Sequence, residues 1–119
     1  MHNFKKLEIW IKSMDLVTEV YKLTATYPKH EMFGLCSQTQ RAAVSIPLNI
    51  SEGSAKSSSK DFSRFLEISE GSCRELETTI IIAYNLTYIS LDMMIEKQNK
   101  IIELQKMIYK FKENLKKDG

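Results

Sequence analysis

The chain has 119 residues, of which 43% are hydrophobic and 27% charged, and its 17 basic and 15 acidic side chains leave a net charge of +2. This length and composition predict one globular domain. The isoelectric point near 8.5 lies below the value of about 9 typical of nucleic-acid-binding domains, so charge alone does not indicate that class. No run of residues approaches the ~18 apolar positions of a membrane span, and we predict a cytoplasmic protein that does not bind a membrane.

The first predicted helix covers residues 7–26. Apolar or small side chains recur along it at spacings of three and four, as they do on one face of a helix. These positions are Trp10, Met14, Val17, Tyr21 and Thr24. A second row at seven-residue spacing consists of Ile9, Leu16 and Leu23. The two rows form either one broad core stripe or a core stripe beside a contact with another copy of the chain.

The second predicted helix covers residues 29–54. Pro28 breaks the chain after the first helix and suits the first turn of the next one. Glu31 lies early in that helix, where the helix dipole favours an anion. Pro47 lies in the middle of the same helix, where it removes one backbone hydrogen bond and is expected to kink the axis.

A stripe of polar side chains follows the second helix. At about 100° per residue, five of them fall within an arc of about 80°. They are Gln38, Arg41, Ser45, Asn49 and Glu52. Apolar residues flank this polar stripe on both sides, so it is either a solvated surface or a partly buried network that fixes the packing or a subunit contact.

Two further helices are predicted over residues 59–89 and 91–116. Ser58 and Asp61 have the spacing of a capping box before the third helix, and Ser90 is the expected N-cap of the fourth. Neither Gly nor Pro occurs between residues 72 and 118, so we expect no tight turn there. The apolar residues of the fourth helix follow a heptad that is interrupted at Lys97.

Four long helices with short connections predict an all-α fold, an antiparallel up-down-up-down four-helix bundle. We expect this bundle to be a single domain over residues 1–119. An open array of the same helices is the alternative packing.

The residue types that catalysis and metal binding require are scarce. The only histidines are His2 and His30, and neither follows a Glu at the spacing of a metal site in a helical bundle. No acid is placed to orient His30 in a nucleophilic triad. We predict that the thiols of Cys36 and Cys73 are buried and reduced. We therefore expect a non-enzymatic protein with no metal and no cofactor.

The acidic residues of the third helix do not form a catalytic pair either. Glu75 and Glu77 are two residues apart, which turns them about 160° from each other on a helix. The simpler interpretation is that Glu75 or Glu77 is an ion-pair partner of Arg41 or Arg74.

Charges are segregated along the chain. Residues 1–60 carry 8 basic and 5 acidic side chains, residues 61–96 carry 2 and 7, and residues 97–119 carry 7 and 3. The basic residues of the last segment are Lys97, Lys100, Lys106, Lys110, Lys112, Lys116 and Lys117. They are candidate phosphate contacts, or else a solvated lysine-rich face that the helix dipole favours near a C-terminus.

Several motifs resemble one bacterial family. They are Tyr27-Pro28-x-x-Glu31-x-x-Gly34-Leu35, then Arg41-Ala42-Ala43-Val44-Ser45-Ile46-Pro47-x-Asn49-Ile50-Ser51-Glu52-Gly53, and Gly71-Ser72-x-x-Glu75-Leu76-Glu77. On these residues the chain is similar, over essentially its whole length, to the 23S rRNA intervening-sequence proteins. Members of that family often have a basic residue where this chain has Glu70.

The resemblance implies a four-helix bundle that assembles as a ring-like homo-oligomer, typically a pentamer. Some members are encoded in insertions within 23S rRNA genes, and the molecular function of the family is unsettled. A similar fold serves as the accessory protein of diversity-generating retroelements, a basic pentameric barrel that works with a reverse transcriptase and RNA. By analogy this implies binding of RNA or a ribonucleoprotein.

The leading functional hypothesis is therefore a non-enzymatic homo-oligomer that binds RNA or a ribonucleoprotein partner through lysine-rich surfaces. The alternative is a protein-interaction scaffold with no nucleic-acid role. In that case the polar stripe of the second helix serves folding specificity or subunit contact.

Overall fold

The computed structural model describes residues 2–118, the last of them by its backbone. Four helices make up most of the chain: α1 (Glu8–Thr24), α2 (Leu35–Ser54), α3 (Ser59–Asn85) and α4 (Leu91–Asp118). Short 3-10 helices precede α1 at Phe4–Lys6 and α2 at Lys29–Glu31. The described residues contain no strand, which confirms the all-α prediction.

α2 and α3 run in opposite directions, and so do α3 and α4, as side-chain contacts between them show. Ser69 Oγ of α3 donates a hydrogen bond to the Ile46 carbonyl of α2 at 2.9 Å. Three residues later, Ser72 Oγ donates to Ser45 Oγ at 2.8 Å. Residue numbers therefore rise along α3 while they fall along the facing part of α2, so the two helices are antiparallel. The pairs Glu70–Lys112 and Glu77–Gln98 give the same antiparallel relation between α3 and α4.

The expected N-caps of the last two helices are confirmed. Ser58 Oγ accepts a hydrogen bond from the Asp61 backbone N–H at 3.1 Å. Ser90 Oγ accepts one from the Met93 N–H, also at 3.1 Å. Each serine thus satisfies a backbone donor that the first turn of its helix leaves free.

α2 begins at Leu35, six residues later than the predicted start at residue 29. The Glu31 side chain causes this difference, because its Oε1 accepts the Leu35 N–H at 3.1 Å and caps the helix from four residues upstream. Gly34 makes room for that carboxylate, since a Cβ there would lie only 2.7 Å from Glu31 Oε1. The segment between Pro28 and Leu35 is therefore a cap and not a first helical turn.

α3 ends at Asn85, short of the predicted end at residue 89. The Tyr88 N–H bonds the Ala83 carbonyl and the Thr87 N–H bonds the Tyr84 carbonyl, each at 2.9 Å, which is the Schellman arrangement. Thr87 takes the left-handed position of this motif, with φ of 66°. Glycine usually occupies that position, so the β-branched Thr87 gave no warning that the helix ends there.

The core of α1 lies on the row that looked secondary in the sequence. Ile9, Leu16 and Leu23 are buried, whereas Trp10 and Val17 are half-buried. On the other side of the core, α2 and α3 approach closely at Gly53. A Cβ at this glycine would lie 2.7 Å from the Phe65 Cβ and 2.9 Å from the Phe62 ring. In the other row of α1, which begins at Trp10, Tyr21 is 46% exposed.

Candidate nucleic-acid interface

The seven lysines of α4 do not form one solvated face. Lys97 and Lys112 are buried, so these two do not fit the prediction that they contact phosphates. Lys100 and Lys106 are exposed and line different grooves. The other exposed lysines of α4 are Lys110, Lys116 and Lys117. The structure thus divides the predicted set between the two sides of α4.

Lys112 forms a largely buried ion pair with Glu70 of α3. Its Nζ lies 2.7 Å from Glu70 Oε1, with side-chain exposures of 11% and 16%. Burial by itself would lower the pKa of Lys112, but the hydrogen bond and the attraction of Glu70 outweigh it and raise that pKa. Lys112 is therefore a structural cation that joins α3 to α4, and Glu70 is its partner.

On the opposite side of α4, the α1–α4 groove is lined by charges that neutralise one another. The charged lining consists of Lys12, Asp15, Glu19, Lys100 and Glu103, beside Leu16 and Leu104. Lys12 Nζ lies 2.7 Å from Glu103, and Lys100 Nζ lies 2.6 Å from Glu19. The buried Lys97 at the heptad interruption also reaches Glu19, at 2.8 Å. Each cation of this groove already has a carboxylate.

Glu19 is the centre of this network, and its protonation reflects that. Burial by itself would raise the pKa of Glu19, but hydrogen bonds from Lys100 and Lys97 and their positive charges bring that pKa below its usual value. The carboxylate is therefore held in its charged form, and the α1–α4 groove offers little free positive charge to an anion.

The second groove, the α3–α4 seam, follows the contact between these two helices on the other side of α4. One part, with a volume of about 390 Å³, is lined by Lys60, Ser63, Arg64, Glu67, Leu115 and Lys116. The other part, of about 330 Å³, is lined by Glu70, Arg74, Ile102, Gln105, Lys106 and Tyr109. The Glu70–Lys112 pair lies between the two parts in the register of the helices.

Helical periodicity explains why these residues line one seam. Lys60, Arg64, Glu67 and Arg74 are spaced by three, four and seven residues, so they follow one face of α3. Lys106, Tyr109 and Lys116 do the same on α4. The antiparallel packing of α3 and α4 then places the two rows side by side.

The cations of the seam are largely without carboxylate partners. Among the side chains of residues 2–117, no ion pair involves Lys60, Arg64, Arg74 or Lys106. Lys116 pairs with Glu113 at 3.2 Å on the exposed surface. Because Glu70 pairs with Lys112 and Glu113 pairs with Lys116, four cations without carboxylate partners remain beside Glu67, the other acid that lines the seam.

Three of these cations were missed in the sequence, and so was Tyr109. Arg64 and Arg74 lie in the segment with 2 basic and 7 acidic residues, so a count along the chain hides them. Lys60 fell in the segment before it. The signal that identifies them is helical spacing, because Lys60, Arg64 and Arg74 share a face that most of the acids of α3 do not occupy.

The polar stripe of α2 is divided between the core and the surface. Asn49 Nδ2 donates to the Ser45 carbonyl at 2.8 Å and to Ser45 Oγ at 3.0 Å. Ser45 Oγ also accepts from Ser72 of α3. These middle residues therefore form a satisfied network within the chain. Gln38 and Glu52, at the two ends of the stripe, are exposed, and so is Arg41.

Arg41 does not meet the acids expected as its partners. No ion pair joins it to Glu75 or Glu77 in the described part of the chain. Glu77 accepts a hydrogen bond from Gln98 of α4 at 2.8 Å instead. Arg41 lines a shallow surface between α1 and α2, beside Tyr21 and Leu48.

The thiols are buried and free, as expected. Burial, with a smaller contribution from the charges of Glu70 and Glu77, raises the pKa of Cys73 to about 12. Burial also raises the pKa of Cys36. Among the side chains of residues 2–117, no group of three from His, Cys, Asp or Glu is placed to hold a metal ion. None of the described helices is both long and apolar enough to cross a membrane.

The fold and the seam together define a small four-helix bundle with a groove lined by cations between α3 and α4. The family model of the 23S rRNA-intervening sequence protein matches residues 5–110, and the chain therefore belongs to that family, as its motifs indicated.

A solved structure with the same fold is available for comparison. It is a protein of unknown function from the S23 ribosomal protein family of Bacteroides thetaiotaomicron VPI-5482. The TM-score is 0.77 and the identity 23%, over 87% of this chain and 96% of that one. At this identity the likeness confirms the fold alone. No curated protein matches the chain.

Proposed function

We propose that the chain is a non-enzymatic RNA-binding bundle that contacts phosphates along the α3–α4 seam, with RNA free or within a ribonucleoprotein. The observation that carries this proposal is the row of cations without carboxylate partners. Lys60 and Arg74 are separated by 14 residues of one helix, which corresponds to about 21 Å. A row of that length can contact several phosphates at once.

Counterion release is the physical basis of the proposed binding. Cations that neutralise RNA phosphates release condensed counterions, and the affinity then falls linearly with salt on a logarithmic scale. A net charge of +2 does not prevent this, because Glu70 is paired with Lys112, which leaves Glu67 as the acid that lines the seam beside four cations without carboxylate partners. The α1–α4 groove lacks this property because its lysines are neutralised by Glu19 and Glu103.

Two double variants with the same change in charge test the proposal. Lys60→Gln/Lys106→Gln removes two seam cations, and Lys12→Gln/Lys100→Gln removes two cations of the α1–α4 groove. RNA affinity is measured by fluorescence anisotropy over a range of salt. The seam variant should bind more weakly, with a salt slope reduced by about 1.5, because each phosphate contact contributes roughly 0.7–0.9.

The α1–α4 variant should keep the affinity and the salt slope of the unmodified protein. Circular dichroism confirms that both variants are folded. Equal losses in the two variants would contradict a localised interface, and an RNA affinity that does not change with salt would contradict phosphate binding altogether.

A second candidate function is a protein-interaction scaffold, with self-association through the surface between α1 and α2. Tyr21 and Leu48 are large side chains that remain 46% and 59% exposed there, next to Val44 and Arg41. Exposed apolar patches of this kind mark interaction sites. The homo-oligomer that the family resemblance implies, typically a pentamer, supports a second copy of the chain as the partner.

Leu48→Glu tests this candidate, with Leu91→Glu as the control because Leu91 is 49% exposed at the start of α4. Light scattering after size exclusion measures the mass. Leu48→Glu should lower the oligomer mass and Leu91→Glu should not. Arg41→Ala separates the two functions: loss of the oligomer supports a subunit contact, whereas loss of RNA binding by an intact oligomer extends the RNA interface to this surface.

A further inference from the structure

Tyr109 is an exposed aromatic side chain in the middle of the α3–α4 seam. It is 53% exposed and lines the recess of about 330 Å³ together with Arg74 and Lys106. Its ring is not part of the core that holds α3 against α4. Large aromatic side chains with this much exposure beside cations are the elements that proteins use to stack nucleic-acid bases.

The ring of Tyr109 is in contact with the ammonium group of Lys112. Lys112 Nζ lies 5.3 Å from the ring centroid, at the distance of a cation–π contact. Lys112 is itself fixed by Glu70 at 2.7 Å. Because Lys112 restricts this ring, stacking of a base on it costs less tyrosine side-chain entropy than stacking on a freely rotating tyrosine would.

The surroundings of Tyr109 suit a nucleotide. Arg74 and Lys106 supply positive charge for a phosphate, and Ile102 supplies an apolar wall. Gln105 lines the same recess, and its amide can both donate and accept a hydrogen bond. Bases within a duplex are stacked on one another and cannot lie flat on a protein ring, whereas those of a single strand can.

We propose that the α3–α4 seam binds single-stranded RNA and that one base stacks on the ring of Tyr109. This inference rests on the proposed RNA-binding function and specifies its ligand. The cations at both ends of the seam hold the backbone of the strand, while Tyr109 provides the contact that a duplex cannot make.

The test compares Tyr109→Ala with Tyr109→Phe, which keeps the ring, and with Phe33→Ala, which removes an aromatic side chain that is 92% exposed in the segment before α2. The probe is a fluorescent oligoadenylate of about 12 nucleotides, within the range of site sizes for single strands. An RNA duplex of the same length is measured in parallel. Tyr109→Ala should weaken binding of the single strand about 10-fold or more, while Tyr109→Phe and Phe33→Ala should not.

The salt slope distinguishes stacking from charge. Tyr109→Ala should leave the slope unchanged, whereas Lys106→Gln should reduce it by about 0.7. Unchanged affinity of Tyr109→Ala, or equal affinities for the single strand and the duplex, would overturn the inference while RNA binding itself still stands. If the unmodified protein binds neither RNA, both the inference and the proposed function are wrong.

Discussion

Two grooves flank α4, and their cations have opposite surroundings. In the α1–α4 groove, Lys12 and Lys100 each lie within 2.7 Å of a carboxylate. In the α3–α4 seam, Lys60 and Lys106 have no such partner among the side chains of residues 2–117. The same residue type therefore joins helices on one side of α4 and is free to contact an anion on the other.

The comparison shows that the number of lysines on a helix is a poor guide to an anion-binding surface. A lysine within an ion pair brings little net charge, and an exposed pair also contributes little to stability. What distinguishes the seam is the arrangement of its acids, since Glu70 is occupied by Lys112 and Glu67 is the other acid of its lining. Replacement of cations should therefore weaken RNA binding at the seam, whereas replacement of a carboxylate should lower stability at the α1–α4 groove.

The largest effect is expected from charge reversal of the seam arginines. Arg64→Glu/Arg74→Glu should weaken RNA binding roughly 10³-fold at 50 mM salt, because two phosphate contacts are replaced by two repulsive charges. The control is Lys110→Glu/Lys117→Glu, which reverses two exposed lysines of α4 that line neither groove. Anisotropy measures both. A larger loss in the control would place the interface on α4 alone, as the charge count along the sequence predicts.

The next effect concerns Lys112, a buried lysine of the seam that is paired with a carboxylate, as the lysines of the α1–α4 groove are. Glu70→Gln should destabilise the fold by roughly 3 kcal/mol, because it leaves Lys112 buried without a counter-charge. Urea unfolding measures this. Glu70→Leu/Lys112→Met should recover most of the stability, since two apolar side chains of similar size need no partner. If the double variant is as unstable as Glu70→Gln, the pair contributes to stability beyond neutralising its own two charges.

A smaller effect is expected in the α1–α4 groove. Glu19→Gln should destabilise the fold by about 1.5 kcal/mol at neutral pH, less than a fully buried pair because the Glu19 side chain is 29% exposed. RNA affinity should not fall, because the substitution removes a negative charge from the α1–α4 groove. A loss of RNA affinity without a loss of stability would contradict the assignment of the RNA interface to the α3–α4 seam.

The effect of Glu19→Gln should also depend on pH. The pKa of Glu19 is lowered in the folded chain, so the unfolded chain binds this proton more readily. The stabilisation is therefore present above the usual pKa of a glutamate and is lost as the pH falls through the lowered one. Urea unfolding at acidic pH should show the unmodified protein and Glu19→Gln converging. A difference that persists in acid would show that the carboxylate charge is not its source.

Much of the fold followed from the sequence, because helical periodicity and side-chain caps are local. Ser58 and Ser90 marked the starts of α3 and α4 correctly. The missed boundaries have local causes that lack a usual signal. Thr87 ends α3 in a position where glycine is the common residue, and Glu31 caps α2 across a glycine from four residues upstream.

The site was less accessible to sequence reasoning, because it depends on which residues two helices bring together. The resemblance to a known family supplied RNA as the expected partner but no residues to contact it. Lys97 and Lys112 looked like surface cations until the packing paired them with Glu19 and Glu70. The cations of α3 that lie beside those of α4 in the seam could be recognised only once the register of the two helices was known.

Competitive acetylation of lysines with and without bound RNA distinguishes the two grooves in the unmodified protein. It measures, residue by residue and by mass spectrometry, which lysines the RNA covers. We expect protection of Lys60, Lys106 and Lys116, and unchanged reactivity of Lys12 and Lys100. Protection of Lys12 and Lys100 with full reactivity at Lys60 and Lys106 would contradict this expectation.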